Sequence, residues 1–368
     1  MGGIGVLVLF NNVIDAKRVY IGVLMSKFIV SCDKTILMKK SKLLLFFILL
    51  SLPSFGQHDF TKVDQYARAY HAKTKDYKVL AQDLTTPFDN ETDKARAIYV
   101  WITDNIKYDC KKYLKRKKGK LQKEPIRYKT EAEKKQKMLV REKEYMTTTL
   151  KKKKGVCEDY ALLFQKMCTS IGIKSEYVRG HLGANPKNLG KIPIIFNHAW
   201  NSILLDGQWY LVDATLGSGT VEGNCKKFHK KFNSGLFMTQ PRDMLLTHFP
   251  NKPEWQYLEQ PLDKQAFSQL PIAGAGFYQV PVIDYFPKEG IIPAKETKTV
   301  LFKLKFAKEG PKMLRLTVNG KQQPSDFELD KDGYWIYEYP LKNRRNKAMS
   351  IVIKDKQDVY RVLSYKSK

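Results

Sequence analysis

The sequence has few cysteines and few acidic residues for its length. Five cysteines in 368 residues are too few for a scaffold built on disulfides, and they show neither C-x-x-C pairs nor the Cys/His spacing of a structural zinc site. No calcium loop of the D-x-[DN]-x-[DN]-G type is present, so we expect no calcium activation. The apolar run at 43–52 is too short to span a bilayer, which takes about 20 residues. We therefore expect no metal, no cofactor and no stable membrane span.

Positive charge is in excess. The chain has 65 Lys+Arg against 37 Asp+Glu, a net charge of +28, and residues 111–154 alone carry 19 Lys/Arg against 5 Asp/Glu. This segment has little apolar periodicity, which predicts an insertion that is helical around 130–145 and otherwise loop. It could contact an anionic cell-envelope polymer, or it could be a solvated basic loop. Its aromatic residues are too sparse for base stacking, so we expect no nucleic-acid partner.

The N-terminal segment has the pattern of a secretory signal peptide. Residues 38–56 place lysines before an apolar core, and small residues then precede a cut ahead of Gln57. Because this pattern is complete from Met38, we interpret residues 1–37 as an upstream artefact of the gene model. A retained membrane anchor is the alternative. The signal peptide predicts a secreted or periplasmic protein.

Cys157 opens a predicted helix that runs to about Ile171. The apolar positions follow the i, i+3, i+4, i+7 spacing of an amphipathic helix: Tyr160, Ala161, Phe164, Met167, Cys168 and Ile171. A thiol in the first turn lies near unpaired N–H groups and the positive end of the helix dipole, and both favour thiolate. Alone, Cys157 could equally be a buried structural cysteine.

A hairpin supplies two candidate partners for this thiol. The Asp-Gly pair at 206–207, between two alternating runs, predicts a two-residue turn. In that register His198 pairs with Thr215. Trp200 pairs with Asp213, and both share a face with His198. His198 and Asp213 are then diagonal neighbours, about 7–8 Å apart at the backbone. An imidazole and a carboxylate therefore meet beside an indole that can exclude water.

The flanking segments indicate an α+β chain followed by an all-β part. Two helical stretches are predicted over Phe60–Leu84 and Asp93–Ile106, and a strand over Lys174–His181. From about residue 272 the sequence changes to short alternating runs with turn signals between them: Thr299–Phe306, Met313–Val318, Gly333–Tyr339, Ala348–Ile353 and Tyr360–Tyr365. This spacing predicts a catalytic domain over 57–271, with the insertion at 111–154, and an immunoglobulin-like β-sandwich over 272–368.

Together, Cys157, His198 and Asp213 have the arrangement of a cysteine nucleophile, a general base and an orienting carboxylate. The imidazolium and the helix dipole would stabilise the thiolate, and the carboxylate would fix the imidazole tautomer. Trp200, beside the base, is predicted to bind substrate. The backbone N–H of Cys157 is one candidate donor to an oxyanion.

Three blocks that contain these residues resemble the transglutaminase-like superfamily: 155–161, 198–201 and 209–215. Residues 101–109 resemble the helix before its active site. The stretch from His248 to Trp255 is similar to the branch containing the kyphoscoliosis peptidase. The resemblance covers roughly 95–271. It implies a papain-like α+β core, in which a helix carrying the cysteine packs on an antiparallel sheet, and acyl transfer through a Cys157 thioester.

The acyl acceptor is left open by these motifs. Water would make the protein a peptidase or amidase acting on a protein or peptide substrate, and an amine would make it a cross-linking enzyme. The signal peptide favours hydrolysis. The alternative is a non-catalytic transglutaminase-like module that binds protein or cell-envelope polymer through its sandwich and basic segment. A basic nucleic-acid-binding protein is a third reading, which the export signal disfavours.

Overall fold

The computed structural model of the protein describes residues 58–120, 125–307, 310–342, 344–355 and 358–368. Phe60–Lys368 forms one compact unit. The leader predicted over residues 1–56 lies outside the described residues, so the signal peptide and the upstream artefact stay predictions. Among the described helices, none is long and apolar enough to cross a membrane.

The regular elements are mostly helical in the first half and mostly extended in the second. The helices are α1 (Thr61–Ala69), α2 (Tyr77–Thr85), α3 (Glu91–Asn105), α4 (Cys110–Lys117), α5 (Glu131–Lys152), α6 (Cys157–Ser170), α7 (Ala214–Ser218), α8 (Pro241–Met244), α9 (Lys264–Gln269) and α10 (Ala275–Gln279). The strands are β1 (Lys107–Tyr108), β2 (Lys154–Gly155), β3 (Ser175–Leu182), β4 (His198–Leu205), β5 (Gln208–Val212), β6 (Gly219–Glu222), β7 (Lys227–Lys230), β8 (His248–Pro250), β9 (Ile272–Ala273), β10 (Val282–Phe286), β11 (Ile291–Ile292), β12 (Thr299–Phe306), β13 (Leu314–Val318), β14 (Lys321–Gln322), β15 (Glu328–Leu329), β16 (Tyr334–Pro340), β17 (Ala348–Asp355) and β18 (Asp358–Ser367).

The stretch predicted as one helical segment over Phe60–Leu84 is two helices, α1 and α2. A new helix starts because the Asp76 side chain accepts a hydrogen bond from the Lys78 N–H at 2.8 Å and so caps α2. The helix predicted over Asp93–Ile106 is confirmed by α3, which Asn90 caps. Buried side chains of α1, α2 and α3 belong to the same hydrophobic cluster as those of α6.

Helix α6 has the predicted length and the predicted buried face. Tyr160, Phe164, Met167 and Cys168 are fully buried, and Gly172 follows the helix with a positive φ of 89°. Burying these side chains stabilises the fold because each large apolar side chain contributes about 1.5–3 kcal/mol when removed from water. The helix packs on β3 and β4, in the antiparallel sheet of order β5-β4-β3-β8. The predicted α+β class is confirmed.

The β4–β5 hairpin confirms the predicted turn but ends earlier than expected. Leu205 pairs with Gln208, as a two-residue turn requires. The predicted pairing of His198 with Thr215 is wrong, because β5 ends at Val212 and α7 follows. The chain leaves the sheet there since Asp213 Oδ1 accepts hydrogen bonds from the backbone N–H groups of Thr215 (2.8 Å) and Leu216 (3.0 Å), which starts α7.

The C-terminal strands form the predicted β-sandwich, which is antiparallel except for the parallel pair β11–β18. One sheet has the order β10-β12-β16-β15, and the other has β11-β18-β17-β13-β14 with β9 beside β18. A single hydrophobic core joins Val178 and Trp200 of the first sheet to Phe302 and Leu316 of the sandwich. The predicted domain boundary near residue 272 is therefore crossed by continuous apolar packing.

The basic segment 111–154 is more regular than predicted. Its described residues include most of α4 and all of the 22-residue helix α5, which extends to Lys152 rather than ending near 145. Lys112 Nζ bonds both carboxylate oxygens of the buried Asp159, at 2.7 and 2.8 Å, and Arg116 Nη1 bonds Glu158 Oε2 at 2.8 Å. The segment therefore packs on the first turn of α6.

A disulfide that the sequence analysis did not predict joins the start of α4 to the β6–β7 turn. Cys110 and Cys225 have Cα atoms 5.3 Å apart and are separated by 115 residues in the chain. The bond closes a long segment of the chain that includes Cys157 and His198. Such a bond stabilises the native state mainly by restricting the unfolded chain.

We expect the double variant Cys110→Ser/Cys225→Ser to unfold at lower urea concentration under non-reducing conditions. The loss in the free energy of unfolding should be about 2–4 kcal/mol because the long loop is no longer closed. The measurement is urea denaturation followed by circular dichroism. The unmodified protein in dithiothreitol is the control and should match the variant. Equal midpoints for oxidised and reduced unmodified protein would contradict the expectation.

Candidate active site

Cys157 is the first residue of α6, and its thiol is half-buried and not part of a disulfide. The residues before it are held against β1, because Gly155 of β2 pairs in parallel with Tyr108. A Cβ at position 155 would lie 2.5 Å from the Asp159 Cβ, so only glycine fits this approach. The Asp159 carboxylate in turn accepts a hydrogen bond from the Val156 N–H at 2.6 Å. These contacts fix the backbone on which the thiol is carried.

His198 and Asp213 meet as the sequence predicted, although Asp213 follows the end of β5 and does not pair with Trp200. His198 Nε2 lies 2.7 Å from Asp213 Oδ2, and the Asp213 side chain is fully buried. Because Nε2 is engaged by the carboxylate, Nδ1 is the ring nitrogen left for the thiol of Cys157, which lies close enough to raise the pKa of His198. The structure thus brings Cys157, His198 and Asp213 together.

The electrostatics of this group favour a charged imidazole. Burial lowers the pKa of His198, but the Asp213 carboxylate and the Cys157 sulfur raise it by more, to about 10. Burial likewise raises the pKa of Asp213, but the two imidazoles of His198 and His248 lower it well below the usual range. At neutral pH the pair is therefore imidazolium and carboxylate, and the imidazolium can balance a thiolate.

Trp200 does not have the predicted substrate-binding position. Its side chain is 1% exposed, so it presents almost no surface to a substrate. The indole stacks on the His198 ring at 6.1 Å and meets the His248 ring edge-on at 4.9 Å. Gly180 on β3 makes room for it, since a Cβ there would lie 2.3 Å from the indole. The Trp200 indole therefore covers the two imidazoles with an apolar surface and excludes water from them.

His248 is part of the site and was not assigned a role from the sequence. Its Nε2 lies 3.1 Å from Asp213 Oδ2, and its side chain is fully buried. It lies on β8, which pairs with β3 rather than with the hairpin, so the hairpin register could not reveal it. A signal was present in the sequence: the chain has six histidines, and this one begins a motif already noted.

Within the described part of the chain, His198, Asp213 and His248 are the group whose ligand atoms could surround a metal ion, all within 4.8 Å of one another. Both imidazole Nε2 atoms, however, are directed at the same carboxylate oxygen, at 2.7 and 3.1 Å. These are hydrogen-bond separations, with a proton between each nitrogen and the oxygen. The donor set therefore fits a carboxylate held by two imidazoles.

A thiol, an imidazole and a buried carboxylate in this order form a cysteine-nucleophile site with a general base and an orienting carboxylate. Residues 78–214 match the family model described as "Transglutaminase-like superfamily". This match, with the similarity to the kyphoscoliosis peptidases over most of the chain, confirms the predicted resemblance to the transglutaminase-like superfamily.

Three similar proteins illustrate the match. The "Kyphoscoliosis peptidase" of Homo sapiens is 28% identical over 314 residues, which cover 85% of this chain and 43% of that protein. "Hillarin" of Drosophila melanogaster is 22% identical over 50% of this chain and 24% of its own length. A solved structure described as "Crystal structure of a TGase" is 15% identical, with a TM-score of 0.27 over 56% of this chain and 44% of that one. The chain spans less than half the length of these proteins.

We expect Asp213→Asn to lower the pKa of His198 from about 10 to the ordinary imidazole value of about 6.5 or below, because burial then acts without the opposing carboxylate. At pH 8 the unmodified His198 should be charged and the variant's neutral. The measurement is an NMR titration of the imidazole resonances. Glu222→Gln, which removes the carboxylate of the exposed His229 pair, is the matched control and should leave His198 unchanged.

The same shift has a stability consequence with a defined sign. Since the folded-state pKa of His198 is raised to about 10, its contribution is fully present below about pH 6.5, the unfolded value, and is lost as the pH rises through about 10. A native His198 that titrates near 6.5 would contradict both expectations.

Proposed function

We propose that the protein is an exported cysteine enzyme that transfers an acyl group through a thioester on Cys157, and that it hydrolyses protein or peptide amides. The observation that carries the proposal is the buried His198–Asp213 pair at 2.7 Å, with Nδ1 of His198 left for the sulfur. The transglutaminase-like domain supports the general class of reaction. The similarity to proteins named kyphoscoliosis peptidases supports hydrolysis.

In the proposed reaction, the Cys157 thiolate attacks the substrate carbonyl carbon. The C–N bond then breaks, and the proton on His198 Nδ1 goes to the leaving amine. Water attacks the thioester carbonyl next, its proton passes to Nδ1, and the acid product leaves as the thiolate is restored. The backbone N–H of Cys157 is in the first turn of α6 and has no acceptor within the helix, so it is available to the oxyanion.

Export is part of the proposal. The predicted signal peptide at 38–56 motivates it, and the Cys110–Cys225 disulfide supports it, because such bonds persist in oxidising compartments. Hydrolysis is proposed over cross-linking because the predicted signal peptide favours it and two relatives that match over most of this chain are named peptidases.

A second candidate is a binding module that uses the basic segment on an acidic cell-envelope polymer. The observation that favours it is the surface of α5, where Lys135, Lys143 and Lys151 are exposed to solvent. Retention on an anionic polysaccharide that survives Cys157→Ala and falls with added salt would support this function. Equal retention of a neutral polysaccharide would count against it.

We expect iodoacetamide to label Cys157 rapidly at pH 7, and both Cys157→Ala and His198→Ala to abolish rapid labelling. Cys168 is the internal control: it is the other free thiol among the described residues, and burial raises its pKa. It should stay unlabelled in the folded protein. The same variants should lose peptide-amide hydrolysis. Unchanged hydrolysis and amine incorporation in Cys157→Ala would refute the proposed enzyme.

A further inference from the structure

We propose that His248, Thr247 and Tyr278 form a hydrogen-bond chain that positions the Asp213 carboxylate for the reaction at Cys157. The inference rests on the proposed function, because Asp213 acts there only through His198. It assigns no contact with substrate to the three residues. They are positioning residues, and they extend the site beyond the thiol, the imidazole and the carboxylate.

The hydrogen-bond chain runs without a break from Asp213 to Tyr278. His248 Nε2 lies 3.1 Å from Asp213 Oδ2, and on the other side of the ring His248 Nδ1 lies 2.7 Å from Thr247 Oγ1. Thr247 Oγ1 lies 2.7 Å from the Tyr278 hydroxyl. All four residues are buried. Each link therefore lies out of water, where a hydrogen bond is strong and an unpaired polar atom is costly.

The order of donors and acceptors fixes one protonation pattern. Asp213 can only accept, so His248 Nε2–H must donate to it. Burial lowers the pKa of His248, which keeps this ring neutral and leaves Nδ1 as an acceptor. Thr247 then donates to Nδ1 and accepts from the Tyr278 hydroxyl. The alternative acceptors are farther away, with the Met244 carbonyl at 3.5 Å from Thr247 and the Asp243 carbonyl at 3.3 Å from Tyr278.

The Asp213 carboxylate uses its full accepting capacity in this arrangement. Oδ1 accepts from the backbone N–H groups of Thr215 and Leu216, and Oδ2 accepts from His198 and His248. A carboxylate has about four acceptor sites, so every one is occupied. With four donors in place the group cannot rotate, and His198 is held on one oxygen. Without His248, Oδ2 would keep one donor.

Tyr278 brings a distant part of the chain to the site. It lies on α10, directly after β9, and the Gly274 N–H at the start of α10 donates to the Val362 carbonyl of β18 at 2.8 Å. The hydrogen-bond chain therefore runs from an element packed on the sandwich to the active-site carboxylate. The placement of the sandwich sets the position of the Tyr278 hydroxyl, and through Thr247 the hydrogen bond that His248 Nδ1 accepts.

The test uses the purified full chain and three substitutions that remove one link each: His248→Phe, Thr247→Val and Tyr278→Phe. The readout is the rate of Cys157 carbamidomethylation by iodoacetamide at pH 7, quantified by mass spectrometry. We expect a loss of roughly 10- to 100-fold for His248→Phe, because a hydrogen bond to a charged group is removed. We expect a loss of labelling rate of roughly two- to tenfold for Thr247→Val and Tyr278→Phe, because each removes a hydrogen bond between neutral groups.

Two conservative variants distinguish positioning from a merely structural role. Thr247→Ser keeps the hydroxyl and should restore the rate of the unmodified protein. Tyr365→Phe also removes a buried hydroxyl, one that donates to the Pro287 carbonyl at 3.3 Å in the sandwich, and should leave the rate unchanged. The ¹⁵N chemical shift of His248 Nδ1 should report a hydrogen-bonded acceptor in the unmodified protein and should move towards the value of an unbonded ring nitrogen in Thr247→Val.

The outcomes separate this inference from the proposed function. If Thr247→Val and Tyr278→Phe fold and label at the unmodified rate, the inference is overturned, whatever His248→Phe does to folding. If His198→Ala labels as fast as the unmodified protein, the proposed function fails instead. In that case the ¹⁵N shift of His248 Nδ1 in Thr247→Val still decides whether the hydrogen-bond chain is present.

Discussion

The structure depends most on one buried carboxylate. Asp213 ends strand β5, caps helix α7 through one oxygen and accepts from two imidazoles through the other. An isolated charge at this depth would be very costly, so its four donors are a condition for folding as much as for chemistry. The same residue therefore sets where the hairpin stops, where His198 points and how His198 is charged. The direction of the chain after β5 and the charge on His198 therefore both depend on the Asp213 carboxylate.

The basic segment supports the thiol in a related way. Glu158 and Asp159 follow Cys157 directly, and two unpaired carboxylates there would oppose negative charge on the sulfur. Lys112 pairs with Asp159 at 2.7 Å, and Arg116 pairs with Glu158 at 2.8 Å. A segment that the sequence presents as an excess of charge thus includes two cations with specific acidic partners in the first turn of α6. The remaining lysines lie largely on the exposed faces of α4 and α5.

Features that depend on near neighbours in the chain were predictable. The buried face of α6 follows from helical spacing, and the Leu205–Gln208 pair follows from the Asp-Gly turn. Features that depend on distant neighbours were not. The Cys110–Cys225 bond spans 115 residues, and His248 reaches Asp213 from a strand on the far side of β3. Trp200 was misread because alternation shows which face a side chain takes but not what covers that face.

The apolar core that Trp200 shares with the sandwich has a consequence for how the protein unfolds and how it can vary. Because the indole behind His198 is packed by residues on both sides of position 272, melting either part would expose the other, and the two should lose structure in one cooperative transition. The C-terminal strands are therefore not an exchangeable module. A homologous sandwich could replace them only if its inner surface matched Trp200 and the neighbouring sheet, so the two parts are expected to change together.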